Sequence, residues 1–516
     1  MPQSNLRLEI LGTAIGITVD EEPAYLRRLL ADYSAQVETI KRSTGLTDPL
    51  KIAILTGYSL CDELHKAREE SMPEKEETLR RTLNLITQLD ETIAKDPLSP
   101  GARELYILKN PVKHYEWGSP TWIPNMLCLD NDEKEPWAEL WMGAHPASPS
   151  MLRVQGTEKS LGQLIAADPP LYLGKEWAAA GTLPFLFKLL AASRPLSIQA
   201  HPGREQARQG WLRENELGIP PDAPERNYRD DNHKPEIICA LSSFTALCGF
   251  RFPAEIASLL SRFFANASPA LQSGFAPLLA ALANTEEGAL SALRGFLKSL
   301  FGIPPEFRKE LTRYALSVPV SSEFHGELWA LIRSFAELYP EDPGILSPLY
   351  LNLLRLEPGE ALYLPAGILH AYVEGFGVEL MANSDNVLRG GLSSKHIDVE
   401  ELMKILYFHP FSPELLKPPI RNPAEGFSGI FTYPSPCKEF SLSVIEALEG
   451  PFPLQGPAII VVTRGRLRAA GEEGSEWELT QGQSAFIPPD FPLTFGGNYT
   501  LYAASLPPVP ESRQTP

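Results

Sequence analysis

The chain is poor in histidine and cysteine, with nine histidines and five cysteines among 516 residues. The cysteines are scattered, odd in number and never spaced as CxxC, which excludes a cysteine-rich zinc site and favours reduced thiols in a cytoplasmic protein. No apolar run approaches the roughly 18 residues that span a bilayer. The N-terminus lacks the apolar region of a signal peptide. These absences predict a cytoplasmic protein with no membrane partner.

Positive charge is also scarce, because 46 lysines and arginines face 64 acidic residues and leave a net charge of −18. This balance argues against nucleic acid or an anionic membrane as a partner. An anionic substrate would need cations gathered locally. Hydrophobic content of 43% and charged content of 21% are ordinary for a globular protein. The length predicts roughly two to four domains.

Residues 1–95 have the pattern of a small α+β domain. Two alternating apolar runs between residues 6 and 19 predict a hairpin. Acidic residues and Pro23 precede a helical apolar pattern that ends at Ile40, and a second helix is expected from Asp48. A narrow apolar seam predicts a contact between helices; its members are Leu79, Leu83, Ile86, Leu89 and Ile93. Residues 96–102 read as a linker.

This segment resembles the ZapA family of cell-division proteins, through "LEILGTAIGITVDEEPAYLRRLLADYSAQVETI" and "DPLKIAILTGY". The resemblance implies a hairpin with two helices, and a homo-oligomer formed through residues 1–95. It also implies a cell-division filament as a partner. The alternative is an unrelated helical segment that serves oligomerisation.

From residue 103 the pattern changes to short strands separated by Pro and Gly turns. We expect a strand-rich part over 103–252, a helical domain over 253–345, a second strand-rich part over 346–425 and a C-terminal barrel over 426–516. The predicted fold class is therefore mainly β with an α insert, preceded by the small α+β domain.

Two motifs place candidate metal ligands in one barrel. "LSIQAHPG" puts Gln199 and His201 two residues apart, on one face of a strand. Taken alone, a glutamine and a histidine at this spacing are also consistent with the solvent-exposed end of a strand. "GEALYLPAGILH", which ends at His370, resembles the second motif of cupin barrels, whose first motif supplies a closely spaced ligand pair. In "GQSAFIPPDFPL" the spacing recurs with Leu493 in place of the histidine, which predicts a second, metal-free cupin-like barrel.

A fourth candidate ligand follows from "DNHKPEIICAL". Pro235 makes a turn and Glu236 opens an apolar strand, with His233 and Lys234 before it. Two imidazoles, one carboxylate and one amide oxygen suit Zn²⁺, although a carboxamide is an unusual ligand. The pattern predicts one catalytic zinc per chain.

"GVELMANSDNVLRGGLSSKHID" contains a candidate anion site. Gly390 and Gly391 follow Arg389, and glycines allow a backbone and a guanidinium to approach a bulky anion. Phosphate is the natural anion for such a fork. The alternative is a structural ion pair between Arg389 and Asp385.

Several collinear motifs, including "LKNPVKHYEWG", "PFLFKLLAASRPLSIQAHP" and "NHKPEIICAL", resemble the type I mannose-6-phosphate isomerases over residues 103–510. The resemblance implies two cupin-like barrels with a helical domain, and zinc as the metal. The implied zinc ligands are Gln199, His201, Glu236 and His370. The implied active-site residues are Ser197, His233, Lys234, Asp385 and Arg389. Trp117 either lines the site or is a core aromatic.

The resemblance further implies interconversion of mannose 6-phosphate and fructose 6-phosphate through an enediol. Zinc would polarise the carbonyl, while a general base moves the proton between C2 and C1. Lys234, His233, Asp385 and a zinc-bound water stay open as that base. Two other functions compete: an inactive cupin that senses a sugar phosphate and is linked to cell division, and a different cupin enzyme such as a metal-dependent oxygenase.

Overall fold

A computed structural model describes residues 4–10, 13–19, 33–42, 56, 103–283, 288–320, 325–418, 429–454 and 456–507. The chain divides into two compact units, Met1–Ala102 and Arg103–Pro516. Each unit is described by itself.

The N-terminal unit contains the predicted hairpin. Strands Ser4–Ile10 and Thr13–Val19 pair antiparallel. A helix over residues 33–42 falls within the first predicted helix and buries Val37. Thr56 is helical; the rest of the second predicted helix and the apolar seam lie outside the described residues.

A ten-stranded antiparallel sheet forms the first half of the larger unit. Its central strand is His370–Ala382, which is buried along nearly its whole length and pairs with strands on both of its edges. The other strands are Val112–Lys113, Glu139–Met142, Phe185–Ala192, Ile198–Ala200, Glu236–Ala240, Phe244–Phe250, Leu351–Leu356, Ala361–Leu364 and Leu388–Gly391.

A nine-stranded antiparallel sheet forms the second half. It comprises Tyr106–Leu108, Gly429–Thr432, Ser441–Glu446, Gly450–Pro451, Ala458–Ala470, Glu476–Thr480, Ser484–Ile487, Thr494–Gly496 and Tyr499–Ser505. Leu493 is buried here in an apolar cluster with Ile460 and Val462; its correspondence to His370 in a second barrel stays a prediction. Met151–Val154 and Thr157–Ser160 form a separate two-stranded sheet.

Five helices follow the strand Phe244–Phe250, within the block predicted to be helical. They are Pro253–Phe263, Pro269–Ala283, Gly288–Phe301, Pro305–Ser317 and Gly326–Leu338. Pro253 and Pro305 stand at the first helical turn, where proline's missing N–H costs nothing. The helices share one apolar core with Ile198 and Leu388, so they support the edge of the ten-stranded sheet.

Further helical segments complete the larger unit. The α-helices are Trp122–Leu127, Leu161–Ala167, Pro169–Leu173, Arg204–Glu216, Ser347–Tyr350 and Val399–Ile405, and the 3₁₀ turns are Ala178–Ala180, Pro343–Leu346 and Glu472–Gly474. The fold is thus mainly β sheet with helices. Among the described residues, every helix is too short or too polar to cross a membrane.

Candidate metal centre

Three strands of the ten-stranded sheet bring the predicted ligands together. Gln199 is the middle residue of Ile198–Ala200, and His201 follows that strand directly. Glu236 and His370 are each the first residue of their strands. Because Gln199 lies opposite His370 in the antiparallel register, the two motifs meet across one strand pair. The sequence prediction that these four side chains converge agrees with the geometry.

The polar atoms of this cluster face one another at short range. Nε2 of His201 lies 3.3 Å from Oε1 of Glu236, and Nε2 of His370 lies 3.5 Å from Oε2 of the same carboxylate. The Gln199 amide nitrogen lies 3.5 Å from Nε2 of His370. A half-turn of that amide would present its oxygen instead. His201, Glu236 and His370 are at most 2% exposed, so the cluster is almost fully shielded from water.

Backbone carbonyls orient both imidazoles. Nδ1 of His201 donates to the carbonyl oxygen of Asn386 at 2.8 Å, and Nδ1 of His370 donates to that of Ile368 at 2.9 Å. A carbonyl only accepts, so Nδ1 carries the proton in each ring and Nε2 keeps a lone pair. Burial also lowers the pKa of His201 to about 4, so that ring is neutral at pH 7. Imidazoles whose Nδ1 atom is held in this way direct Nε2 towards a metal.

Two buried atoms at the centre of the cluster, Nε2 of His201 and Oε2 of Glu236, have no hydrogen-bond partner. Burial would raise the pKa of Glu236, but the Lys234 ammonium 3.1 Å away outweighs this and holds the pKa well below its usual range. Lone pairs and a carboxylate charge therefore converge on one point. A nitrogen-and-oxygen set of this kind fits Zn²⁺.

The cluster opens onto a cavity of about 670 Å³, within the range of small-molecule sites. The predicted residues in its lining are Trp117, Ser197, Gln199, Lys234, Glu236 and Arg389. Arg389 lies opposite Gln199 in the strand Leu388–Gly391. Burial, together with the neighbouring Arg229, lowers the pKa of Arg389. The cavity therefore joins the candidate ligands, a lysine and an arginine.

Comparison with curated proteins gives the chain its family. It is 39% identical over 401 residues to the mannose-6-phosphate isomerase of Escherichia coli strain K12, covering 76% of this chain and 97% of that protein. The chain belongs to the type I phosphomannose isomerase family. A family model described as the phosphomannose isomerase type I catalytic domain matches residues 105–252, and the model of the cell division protein ZapA matches residues 6–94.

Solved structures of phosphomannose isomerases share the fold. A mutant enzyme from Salmonella typhimurium aligns with a TM-score of 0.69 at 35% identity, covering 78% of this chain and 99% of that one. A mannose 6-phosphate isomerase described as holo and zinc bound aligns with a TM-score of 0.68 at 35% identity and the same coverage. The residues before residue 105, where the catalytic-domain model begins to match, are therefore an addition to the part that these enzymes share.

Two predicted active-site residues of this phosphomannose isomerase, His233 and Asp385, do not line the cavity. Nε2 of His233 is 3.0 Å from Oε1 of Glu439, on the segment that enters the nine-stranded sheet. The Asp385 carboxylate is nearly half exposed, and its Oδ2 is 3.6 Å from Nε2 of His145. Successive side chains of an extended chain point to opposite sides, so Lys234 faces the cluster while His233 turns away. Both residues stay predictions without support from the geometry.

Among the charged cavity residues that sequence reasoning missed, Lys188, Glu139 and Glu379 form one buried cluster. Lys188 is 5% exposed, and its Nζ lies 2.9 Å from Glu379 and 3.4 Å from Glu139. Burial alone would lower the pKa of Lys188, but the two carboxylates outweigh it and raise the pKa above its usual value. The available signal was charge inside apolar strands, as in "PFLFKLLAA" and "GVELMA".

The glycines after Arg389 serve chain packing, which differs from the expectation of anion approach. A Cβ atom added to Gly391 would lie 2.9 Å from the Cα atom of Gly344, and its φ of +135° also favours glycine. A Cβ atom added to Gly390 would meet side chains instead, 3.1 Å from Leu369 and 3.5 Å from Ile198. Gly391 therefore lets the chain that returns from the helices lie against the strand of Arg389.

Proposed function

We propose that this chain is a zinc-dependent isomerase that interconverts mannose 6-phosphate and fructose 6-phosphate. The observation that carries the proposal is the buried cluster of His201, Glu236 and His370, with Gln199 beside it, at the wall of a cavity lined by cations. The relatives named mannose-6-phosphate isomerase, over nearly their whole length, support the same reaction.

Gln199, His201, Glu236 and His370 would hold one zinc ion per chain. When bound, zinc polarises the sugar's carbonyl oxygen and stabilises negative charge on the enediol. The chain's own contribution is to orient both imidazoles through their Nδ1 atoms, to keep His201 neutral and to keep the Glu236 carboxylate charged, since neutral imidazole and ionised carboxylate ligate a metal.

The phosphate group of the substrate accounts for the cations in the cavity lining. Arg389, Lys395 and Arg194 all line it, in a protein whose net charge is −18. A phosphate dianion would pair with the planar Arg389 fork and the Lys395 ammonium. We assign Ser197 and Trp117 to the same substrate-binding wall, where the hydroxyl can bond a sugar oxygen and the indole can cover a sugar face.

The isomerisation moves one proton from C2 to C1, so a base must take it and return it. We assign this role to Lys234, because its side chain is buried and lines the cavity beside the candidate ligand Glu236. Once its ammonium has given up a proton, Lys234 would accept the proton from C2 and return it to C1, while the hydroxyl proton on O2 passes to O1. His233 and Asp385 were open alternatives, and their contacts with Glu439 and His145 favour neither of them.

We also propose the finer architecture and setting. The ten-stranded sheet corresponds to a catalytic cupin barrel split between 103–252 and 346–425, interrupted by the helical domain 253–345. The nine-stranded sheet corresponds to a metal-free cupin-like barrel over 426–516. The segment 1–95, joined by the linker 96–102, self-associates and docks on a cell-division filament. The cytoplasm is the proposed location, because the exposed thiol of Cys128 stays reduced there.

The isomerase proposal is tested by a coupled assay on mannose 6-phosphate with zinc analysis of the same sample. Wild type should contain about one zinc per chain and turn over the sugar. His370→Ala should lose zinc and activity together, because removing one ligand opens the set. His409→Ala, at a residue that packs on Tyr407, is the matched control and should keep both. Zinc-replete wild type without turnover would favour the sensor.

Self-association is tested by deleting residues 1–102. Turnover per active site should stay within about twofold, because the ligand cluster lies wholly beyond that segment, while light scattering should report fewer chains per particle. An unchanged chain number would refute a role for the segment in assembly. An inactive but folded product would show that the segment belongs to the catalytic unit.

A further inference from the structure

Asn386 is a fully buried asparagine whose amide is completely engaged. Its Oδ1 accepts from the backbone N–H of Arg229 at 2.7 Å and of Asp230 at 3.2 Å. Its Nδ2 donates to the backbone carbonyls of Asp230 at 2.8 Å and Asn232 at 2.9 Å. An amide offers two donor hydrogens and two acceptor lone pairs. All four go to one short loop, residues 229–232.

The main chain of Asn386 reaches the metal cluster directly. Its carbonyl oxygen accepts the Nδ1 proton of His201 at 2.8 Å. The loop that its side chain holds leads, within four residues, to Lys234 and Glu236. Asn386 therefore links the segment of His201 to the segment of Glu236, although it lies outside the cavity lining.

The side chains of Ser384 and Asp230 also join the segment of Asn386 to the loop 229–232. Ser384 donates its hydroxyl hydrogen to Oδ1 of Asp230 at 2.8 Å and accepts from the backbone N–H of Asn386 at 3.2 Å. Asp230 Oδ2 accepts from the backbone N–H of Asp385 at 2.7 Å. The backbone around the carbonyl of Asn386 is thus fixed on both sides, so its direction depends on these bonds.

We infer that Asn386 is a positioning residue of the metal centre, which sets zinc affinity by fixing the ring of His201 and the loop that carries Lys234 and Glu236. Metal ligands depend on the groups that orient them, and loss of such a partner typically lowers metal affinity or activity by about 10- to 100-fold. The inference deepens the proposed function and rests on it for the activity readout, while the affinity readout needs the metal alone.

The test compares Asn386→Ala and Asn386→Asp with Asn383→Ala in the full chain. Asn383 is a matched control three residues earlier, and its amide donates to the carbonyl of Leu183, away from the loop. Zinc affinity is measured by competition with a chromophoric chelator, without substrate. Asn386→Ala should bind zinc about 10- to 100-fold more weakly, and Asn383→Ala should stay within about threefold of wild type.

Asn386→Asp keeps the two accepted hydrogen bonds, so it provides a folded variant should alanine disrupt the loop. It places an oxygen against the carbonyls of Asp230 and Asn232, so zinc binding should again weaken at least about tenfold. The visible spectrum of the cobalt-substituted protein should shift in both Asn386 variants and stay unchanged in Asn383→Ala, because it reports ligand geometry. A purely structural role would lower the melting temperature and leave the spectrum unchanged.

A folded Asn386 variant with zinc affinity within threefold of wild type and an unshifted cobalt spectrum would overturn the inference. That failure is separable from failure of the proposed function. Wild type without isomerase activity, combined with weak zinc binding in the variants, would remove the function and leave the role of Asn386 standing. Active wild type with normal zinc binding in the variants would remove only the role of Asn386.

Discussion

Replacing Lys188 by methionine should destabilise the protein strongly, because it leaves two buried carboxylates without their cation. Lys188 is 5% exposed, Glu139 7% and Glu379 3%. Its ammonium lies 2.9 Å from Glu379 and 5.4 Å from the centre of the Trp141 ring. Methionine keeps most of the apolar stem that packs there. The loss is therefore almost purely one of charge.

Removing one partner of a buried ion pair costs about 3–5 kcal/mol, since the remaining charge is uncompensated. We expect Lys188→Met to lower the free energy of unfolding by about this amount, measured by urea unfolding with zinc present and followed by tryptophan fluorescence. The exposed Lys175 is the matched control, and Lys175→Met should change stability by less than about 0.5 kcal/mol.

The pH dependence has a definite sign. The folded protein raises the pKa of Lys188, so its contribution is fully present below the unfolded value near about 10.4 and is lost only as pH rises through the folded value. The deficit of Lys188→Met should therefore stay constant between pH 7 and about 9. Adding Glu379→Gln should recover about 0.5–3 kcal/mol relative to the sum of the single changes. A Lys188→Met deficit below about 1 kcal/mol, or strict additivity, would refute the argument.

Two further predictions concern charge at the site and behind it. Arg389→Ala should keep zinc but lower turnover of mannose 6-phosphate about 100- to 1,000-fold, the usual loss for a group that stabilises transition-state charge. Zinc content and kcat/KM are measured beside the exposed control Arg153→Ala, and loss of zinc from Arg389→Ala would contradict the prediction. Glu439→Gln should destabilise the zinc-free protein at pH 7, because a hydrogen bond from His233 holds the pKa of Glu439 at about 2. That stabilisation is present above the unfolded pKa near about 4.3 and disappears as pH falls towards about 2. The loss of unfolding free energy in Glu439→Gln should therefore be smaller at pH 3 than at pH 7. An equal loss at both pH values would contradict the prediction.

The convergence of the candidate metal ligands could be predicted because each motif fixes its residue near a strand end. A two-residue spacing places Gln199 and His201 on one face, and the Pro-Gly turn before His370 starts the strand opposite them. The carboxylates around Lys188 could not be predicted, because they come from strands far apart in sequence. Only the register that sets Lys188 opposite Glu379 brings them together. His233 stays a prediction, and its Nε2 lies 3.0 Å from Glu439 while Lys234 lies beside Glu236.

The helical block over 253–345 was predictable from its 3.6-residue periodicity, and the hairpin from its alternation, whereas the helix Arg204–Glu216 lies in a part that was predicted to be strand-rich. Their bounds needed the structure, since tertiary packing decides where each element ends. The nine-stranded sheet shows the limit most clearly: its strand Tyr106–Leu108 lies more than 300 residues before its neighbours in sequence, and it pairs with Ser484–Ile487. No local pattern contains that pairing.

The close approach of Gly391 to Gly344 has a consequence for altering substrate range. The chain returning from the five helices touches the strand of Arg389, and Leu338 and Tyr339 at the end of the last helix line the cavity. A change in the length or tilt of that helix therefore reshapes the cavity wall without touching a metal ligand. Variation in the helices offers evolution, or a library of loop and helix variants, a route to sugars of different size while the metal site stays intact.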